Sequence, residues 1–201
     1  MNNKELEGSK VFNIDHVEKM RVENMHLHTH VYTNSADNDQ PSSIDYISEW
    51  QSLNAESFCL FVLIGETYSG KSFSIAKSCA LRYTPLDYQK RYNVIFPSAV
   101  EEVMHMPCIF AQRNTDFKWA SNLYVKIGKI REIVRQGMNL RFSIEKYGYF
   151  QQQIINQNID SFGLLYNDLR NQLDEEHWSI CRGNLPQILD KLNIAINWRN
   201  N

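Results

Sequence analysis

Phe58-Cys59-Leu60-Phe61-Val62-Leu63-Ile64 is an unbroken apolar run of seven residues. A run of this kind is the pattern of a β-strand buried on both faces, which other layers of the protein must cover from above and below. The chain can supply those layers. Its 201 residues suffice for one domain with a sizeable core, and 43% hydrophobic with 12% aromatic residues exclude a disordered polypeptide. A formal net charge of −2 gives no global attraction to nucleic acid or membranes, so any such affinity must come from a local patch.

Further elements read off on either side of that strand. Residues 1–43 are polar and end in "TNSADNDQPSS", a loop by composition and the close of an N-terminal extension. Ser43 then offers a helix cap, with Ile44, Ile47 and Trp50 at helical spacing. "SFSIAKSCALRY" reads as a helix, "MPCIFAQ" as a strand, and "FKWASNLYVKIGKIREIV" as an amphipathic helix with Trp119, Leu123, Ile127 and Ile130 on one face. "FQQQIINQNI" looks helical and "SFGLLYND" like a strand. "EEHWSICRGNLPQILDKL" reads as a helix broken at Pro186, and "NIAINW" as a last strand. Strands alternating with helices predict an α/β fold with a parallel sheet flanked by helices over residues 44–201.

The buried strand leads into Gly65-Glu66-Thr67-Tyr68-Ser69-Gly70-Lys71-Ser72, which satisfies the phosphate-loop pattern G-x-x-x-x-G-K-[ST] in full. That chemistry needs backbone N–H groups converging on phosphate, a lysine charge from Lys71 and a hydroxyl from Ser72 for Mg²⁺. It also needs a helix whose N-terminus faces the anion. The competing reading is a strand and a polar turn with no nucleotide. A hydrolytic site requires a second strand ending in a carboxylate. Asp168, preceded by Asn167, is the candidate, and the amide at 167 predicts slow turnover.

The order of these elements resembles the TniB/TnsC group of AAA+ ATPases, which regulate DNA transposition. The resemblance runs from "IDYISEW" through "FVLIGETYSGKS", "MPCIFAQ", "DFKWASNLYVKIGKI" and "FGLLYND" to the C-terminus, with the helical lid absent. It implies a P-loop NTPase core that binds ATP and Mg²⁺, with Asn197 as the sensor. It also implies duplex DNA held without sequence preference and in an ATP-dependent way. A transposase or target-selector protein and further copies of the chain are the other partners implied, and a truncated AAA+ interaction module is the variant reading.

The DNA contacts would come from Arg113, Lys118, Lys126 and Lys129. Lys118, Lys126, Lys129, Arg131 and Arg135 place five positive charges in eighteen residues, against Asp116 and Glu132. A solvated helix face explains the same charges without any partner.

His26, His28 and His30 alternate in "MHLHTHVY" and would share one face of a strand, a geometry suited to Zn²⁺ or Mn²⁺. The stretch resembles the opening motif of PHP-type metallophosphoesterases, which implies a degenerate metal-dependent phosphoesterase. Ile64-Gly65-Glu66 and Glu101 stand where that family's later motifs would fall. An extension with surface histidines is the plainer alternative. Cys59, Cys79, Cys108 and Cys181 form no CxxC pair, and no run approaches the roughly 18 apolar residues of a membrane span. The expectation is a cytoplasmic protein with no membrane partner.

Overall fold

The computed structural model describes residues 43–53, 56–92, 97–116, 118–120, 122–167 and 170–199. All of them belong to one compact unit. His26, His28, His30 and Asp168 lie outside these residues, so neither the histidine cluster nor the acidic end of "FGLLYND" is described.

Phe58 to Leu63 of the apolar run join Ser57 to form β1 (Ser57–Leu63), with every residue buried, while Ile64 falls beyond its end and is exposed. The second strand read from the sequence forms β3 (Cys108–Gln112), and the two pair in parallel from Cys59↔Cys108 to Leu63↔Gln112. All other neighbours in this sheet of seven strands run antiparallel. Its order is β2 (Ser72–Ala76), β5 (Asn139–Gln151), β4 (Tyr124–Gln136), β3, β1 and β8 (His177–Arg182). Beyond the end of β2, β9 (Asn197–Trp198) pairs with β5. The fold is therefore mixed α/β around a mixed sheet, which corrects the expectation of a parallel one.

Side-chain alternation assigns the two faces. Phe58, Leu60, Val62, Ile109, Val125 and Ile127 face one core, closed by Tyr46 and Trp50 of α1 (Ser43–Gln51). Ile155 of α4 (Gln153–Gln157) and Leu185 and Leu189 of α5 (Leu185–Lys191) complete it. Cys59, Phe61, Leu63, Phe110 and Trp178 face the other core, with Phe73, Phe142, and Ala99 and Val103 of α3 (Pro97–Met104). A further helix, α2 (Leu86–Arg91), precedes α3.

Three segments read as helices are strands. Phe73 and Ile75 are buried while Ser74 and Ala76 are exposed, the alternation of a strand with one covered face, and this stretch is β2. The basic segment is β4, rich in the β-branched residues that pack well on a pleated surface. "HWSICR" is β8, and its helix begins only afterwards, with the Asn184 side chain capping the N–H of Gln187 and Pro186 in the first turn. "FGLLYND" contributes only β6 (Leu165–Asn167), paired with β7 (Arg170–Asn171) outside the main sheet.

β4 and β5 form a long hairpin closed by Gly137, at φ 56°, and Met138. Gly at the first of two turn positions is the residue that a type II′ turn requires. Register shifts between Ile127 and Gly128 and between Ile130 and Glu132 bend the hairpin and change which side chains face which core. Gly128 is fixed by space: a Cβ there would stand 1.8 Å from the Glu145 carbonyl oxygen.

Candidate nucleic-acid interface

The loop 65–71 has the opposite polarity from a phosphate cradle. The carbonyl oxygens of Tyr68, Ser69 and Gly70 each accept from the Lys146 ammonium at 2.8 Å, so the loop presents acceptors to a cation. The Tyr68 N–H is already given to Glu66 Oε1 at 2.6 Å, and Thr67 and Ser69 bond to each other. Tyr68 holds the loop down, with φ 52°, its ring buried against Phe73 and Phe110 and its hydroxyl donating to the Ala111 carbonyl.

Gly65 takes a left-handed φ of 68°, as the sequence required of a tight turn, and Lys71 is exposed. Ser72 opens β2, and its hydroxyl accepts from the Arg141 guanidinium at 3.1 Å. No helix N-terminus stands behind Lys71, because β2 pairs at once with β5. This corrects the strand–loop–helix setting that the phosphate-loop reading of residues 65–72 relied on.

The other expected site residues separate. Asn167 lies on β6, which pairs with β7 and not with β1 or β3. Arg113 and Lys118 belong to the loop after β3. There the Arg113 N–H donates to Leu63 O and the Lys118 N–H to Asp174 Oδ1 at 2.9 Å. Arg113, Asn114, Thr115, Asp116 and Asp174 line a polar cavity of about 250 Å³. Its floor is an amide network in which Asn114 donates to Asp174 at 2.6 Å and to Asn156 at 3.0 Å.

Lys129 is removed from any interface. It points to the α1 side, pairs with Glu49 and keeps only 13% of its side chain exposed. Burial pushes the Glu49 carboxyl up, but the bond and charge of Lys129, with Tyr147 and Arg131, hold it below its ordinary value. Arg131 is likewise committed to Glu145 and Glu49.

Lys126 remains, and the fold surrounds it with groups that local spacing in the sequence does not single out. Before the first register shift, Tyr124 and Lys126 project from the face opposite Val125 and Ile127. Lys126 is directly across from Tyr149 of β5, its ammonium 4.4 Å from the ring centroid, a cation–π contact. Tyr124 and Tyr149 meet edge to face at 5.7 Å and are 44% and 39% exposed. Asn197 of β9 lies opposite Tyr149 and reaches its carbonyl at 3.5 Å.

Two more cations stand close by. Burial, and then the charges of Arg199 and Lys126, lower the pKa of Lys146, with Glu66 opposing them. Arg199 is exposed, its N–H bonded to Tyr147 O beside β9. Lys146 is thus near enough to Lys126 and Arg199 to feel both charges, with the Glu66 carboxylate also within reach. "YVKI" and "EKYGYF" carry this site as alternation, legible only once the two segments are known to pair.

Trp119, 52% exposed, lies five residues before Tyr124 in the chain. Among the described residues, no group of three or more His, Cys, Asp or Glu side chains could hold a metal ion, and no helix is long and apolar enough to cross a membrane. Compared with known proteins, the chain matches no family model, no curated protein and no solved structure.

Proposed function

We propose that this protein binds nucleic acid without reading its sequence, through the face of β4, β5 and β9 that carries Lys126, Lys146 and Arg199. The observation behind this reading is the convergence of the three cations beside exposed tyrosine rings. Burial chiefly, and then the charges of the other two, lower the pKa of Lys146. Holding like charges together costs free energy, and a phosphodiester backbone relieves that cost by displacing the counterions.

Lys146 spends its three protons on loop carbonyls, so it acts through charge and by holding the loop. Lys126 and Arg199 are the groups free to reach phosphate oxygens. The ATP-dependent transposition regulator suggested by the residue order drew its support from a helix behind Lys71 and from a basic helix. With strands in both places and the loop turned toward Lys146, the observations favour the sheet face over the loop.

The test is fluorescence anisotropy of a labelled mixed-sequence oligonucleotide at four salt concentrations, without nucleotide. Affinity should fall as salt rises. The Lys126→Ala, Arg199→Ala double variant should flatten the log–log salt slope by about 0.7 to 0.9 for each phosphate that it no longer neutralises. An unaltered slope would remove this face from consideration.

A further inference from the structure

We infer that this face selects single-stranded nucleic acid over duplex, with an unstacked base lying on the Tyr124 ring. The inference rests on the nucleic-acid reading above and names the form of partner that the site takes.

The supply of cations is too small for a duplex. Backbone-only binding to a duplex grows with the number of phosphates neutralised, each adding about 0.9 to the salt slope, and a protein with roughly 6–10 such contacts shows a correspondingly steep one. Among the described residues, β4, β5 and the end of β9 bring two cationic side chains with donors to spare to this face, Lys126 and Arg199, since Lys146 is taken by three carbonyls. Two contacts are too few for useful duplex affinity, so another interaction must contribute. The exposed rings can supply it, because stacking one base on an aromatic side chain contributes about 1–3 kcal/mol whatever the base.

Access to the bases points the same way. Inside a duplex the faces of the bases are covered by their neighbours and only the edges are exposed in the grooves. Tyr124 and Tyr149 stand on a strand surface, and neither belongs to a wedge that could enter a base step. An unpaired base offers the ring face that such a surface can use.

The geometry also distinguishes the two rings. Lys126 occupies one face of Tyr149. Tyr124 has no cation above it among the described residues and is the more exposed of the pair. Tyr124 and Lys126 are two residues apart on one face of β4, about 6.6 Å along the strand, within the span of one nucleotide. A base on Tyr124 therefore brings its own or the adjoining phosphate to Lys126, with Arg199 of the β9 side as the second contact. Glu66 is the anion on this side, and it keeps the phosphate track off the loop.

The test measures oligo-dT, oligo-U and the matching dT·dA duplex by anisotropy at low salt with the full chain. Single strands should bind at least tenfold more tightly than duplex, and an oligo-dU arm set against oligo-U shows which sugar is preferred. Tyr124→Ala should weaken single-strand binding by roughly 5- to 150-fold while leaving the salt slope unchanged, because every phosphate keeps its cation. Tyr124→Phe, which keeps the ring, should retain affinity, and thermal melting of both variants shows that they fold.

Equal or tighter duplex binding, or an affinity that does not change in a folded Tyr124→Ala, overturns the inference. If the Lys126, Arg199 double variant still flattens the slope in that case, the nucleic-acid reading survives without it. If no oligonucleotide binds wild-type protein, both fall together.

Discussion

The β1–β3 pair and the β4–β5 hairpin belong to one sheet, yet only the second shows part of its width to water. β1 is buried along its whole length, and Phe61 at its centre stacks parallel to Trp178 at 5.7 Å and on Phe110 at 5.5 Å. The hairpin is longer than the layers that cover it. On the face away from α1, Tyr124 and Tyr149 are left exposed, with Lys126 half-buried between them. One region therefore contributes stability with no chemistry to offer a partner, and the other offers charge and rings with little packing to lose. Substitutions should separate the two.

The largest effect is expected at Phe61. Phe61→Ala removes a ring in contact with Phe73, Phe110, Phe142 and Trp178 and should cost about 3–5 kcal/mol of stability. Oligonucleotide affinity of the folded fraction should stay within about twofold, since this ring is fully buried. A stable variant in urea titration would break the comparison from its buried side.

His177, beside β1 in β8, gives that buried side a pH signature. Its Nδ1 donates to the Glu175 carbonyl at 2.9 Å, while Nε2 is enclosed without a hydrogen-bond partner among the described residues. Burial lowers its pKa to about 4, with Arg82 adding to the fall. The unfolded chain, titrating near 6.5, takes up the proton first. Stability from neutral His177 is thus complete above about pH 6.5 and is lost as pH falls toward 4, by up to about 3 kcal/mol. Urea midpoints between pH 4 and 7 should show this slope and lose it in His177→Gln; equal slopes in both proteins would exclude the assignment.

Lys146 sits between the two regions. Lys146→Met should leave three loop carbonyls without their donor, cost about 1–2 kcal/mol, and speed amide exchange in residues 65–71 more than in β1. Uniform exchange across the molecule would mean that the lysine does not hold the loop.

The smallest effect is expected at Lys71. Because it is exposed and no helix follows it, Lys71→Ala should change stability by less than about 0.5 kcal/mol. Titration of wild-type protein with a fluorescent ATP analogue and Mg²⁺ should show no saturable binding. Saturable binding that Lys71→Ala abolishes would return the loop to the phosphate reading.

The strands that were legible in the sequence are the ones whose pattern admits one solution. "FCLFVL" and "CIFA" are continuous apolar runs, and both lie in buried strands. α1 followed from Ser43 and the spacing of its apolar residues. β2 and β4 were misread because the lysine-serine motif and a helical spacing of Trp119, Leu123, Ile127 and Ile130 outweighed the alternation of Phe73 with Ile75 and of Val125 with Ile127. Of the candidate site, the sequence singled out only Lys126 as a nucleic-acid contact. Tyr124, Tyr149, Lys146 and Arg199 come from segments that local spacing cannot join.

Taken alone, the sequence determined that one strand is buried on both faces, that helices share in covering it, and that basic residues cluster after β3. Composition and periodicity are local properties, and burial of an apolar run follows from them. Only the tertiary structure decided what the glycine-lysine loop is. An eight-residue pattern records which residues are present but not which way their peptide groups point, and pairing with β5 turned the carbonyls toward Lys146. The same pairing, with a register shift at Gly128, set Lys126 over Tyr149 and sent Lys129 to Glu49. Registry between distant strands is fixed by the whole sheet, so the proposed binding face could appear only once the sheet was assembled.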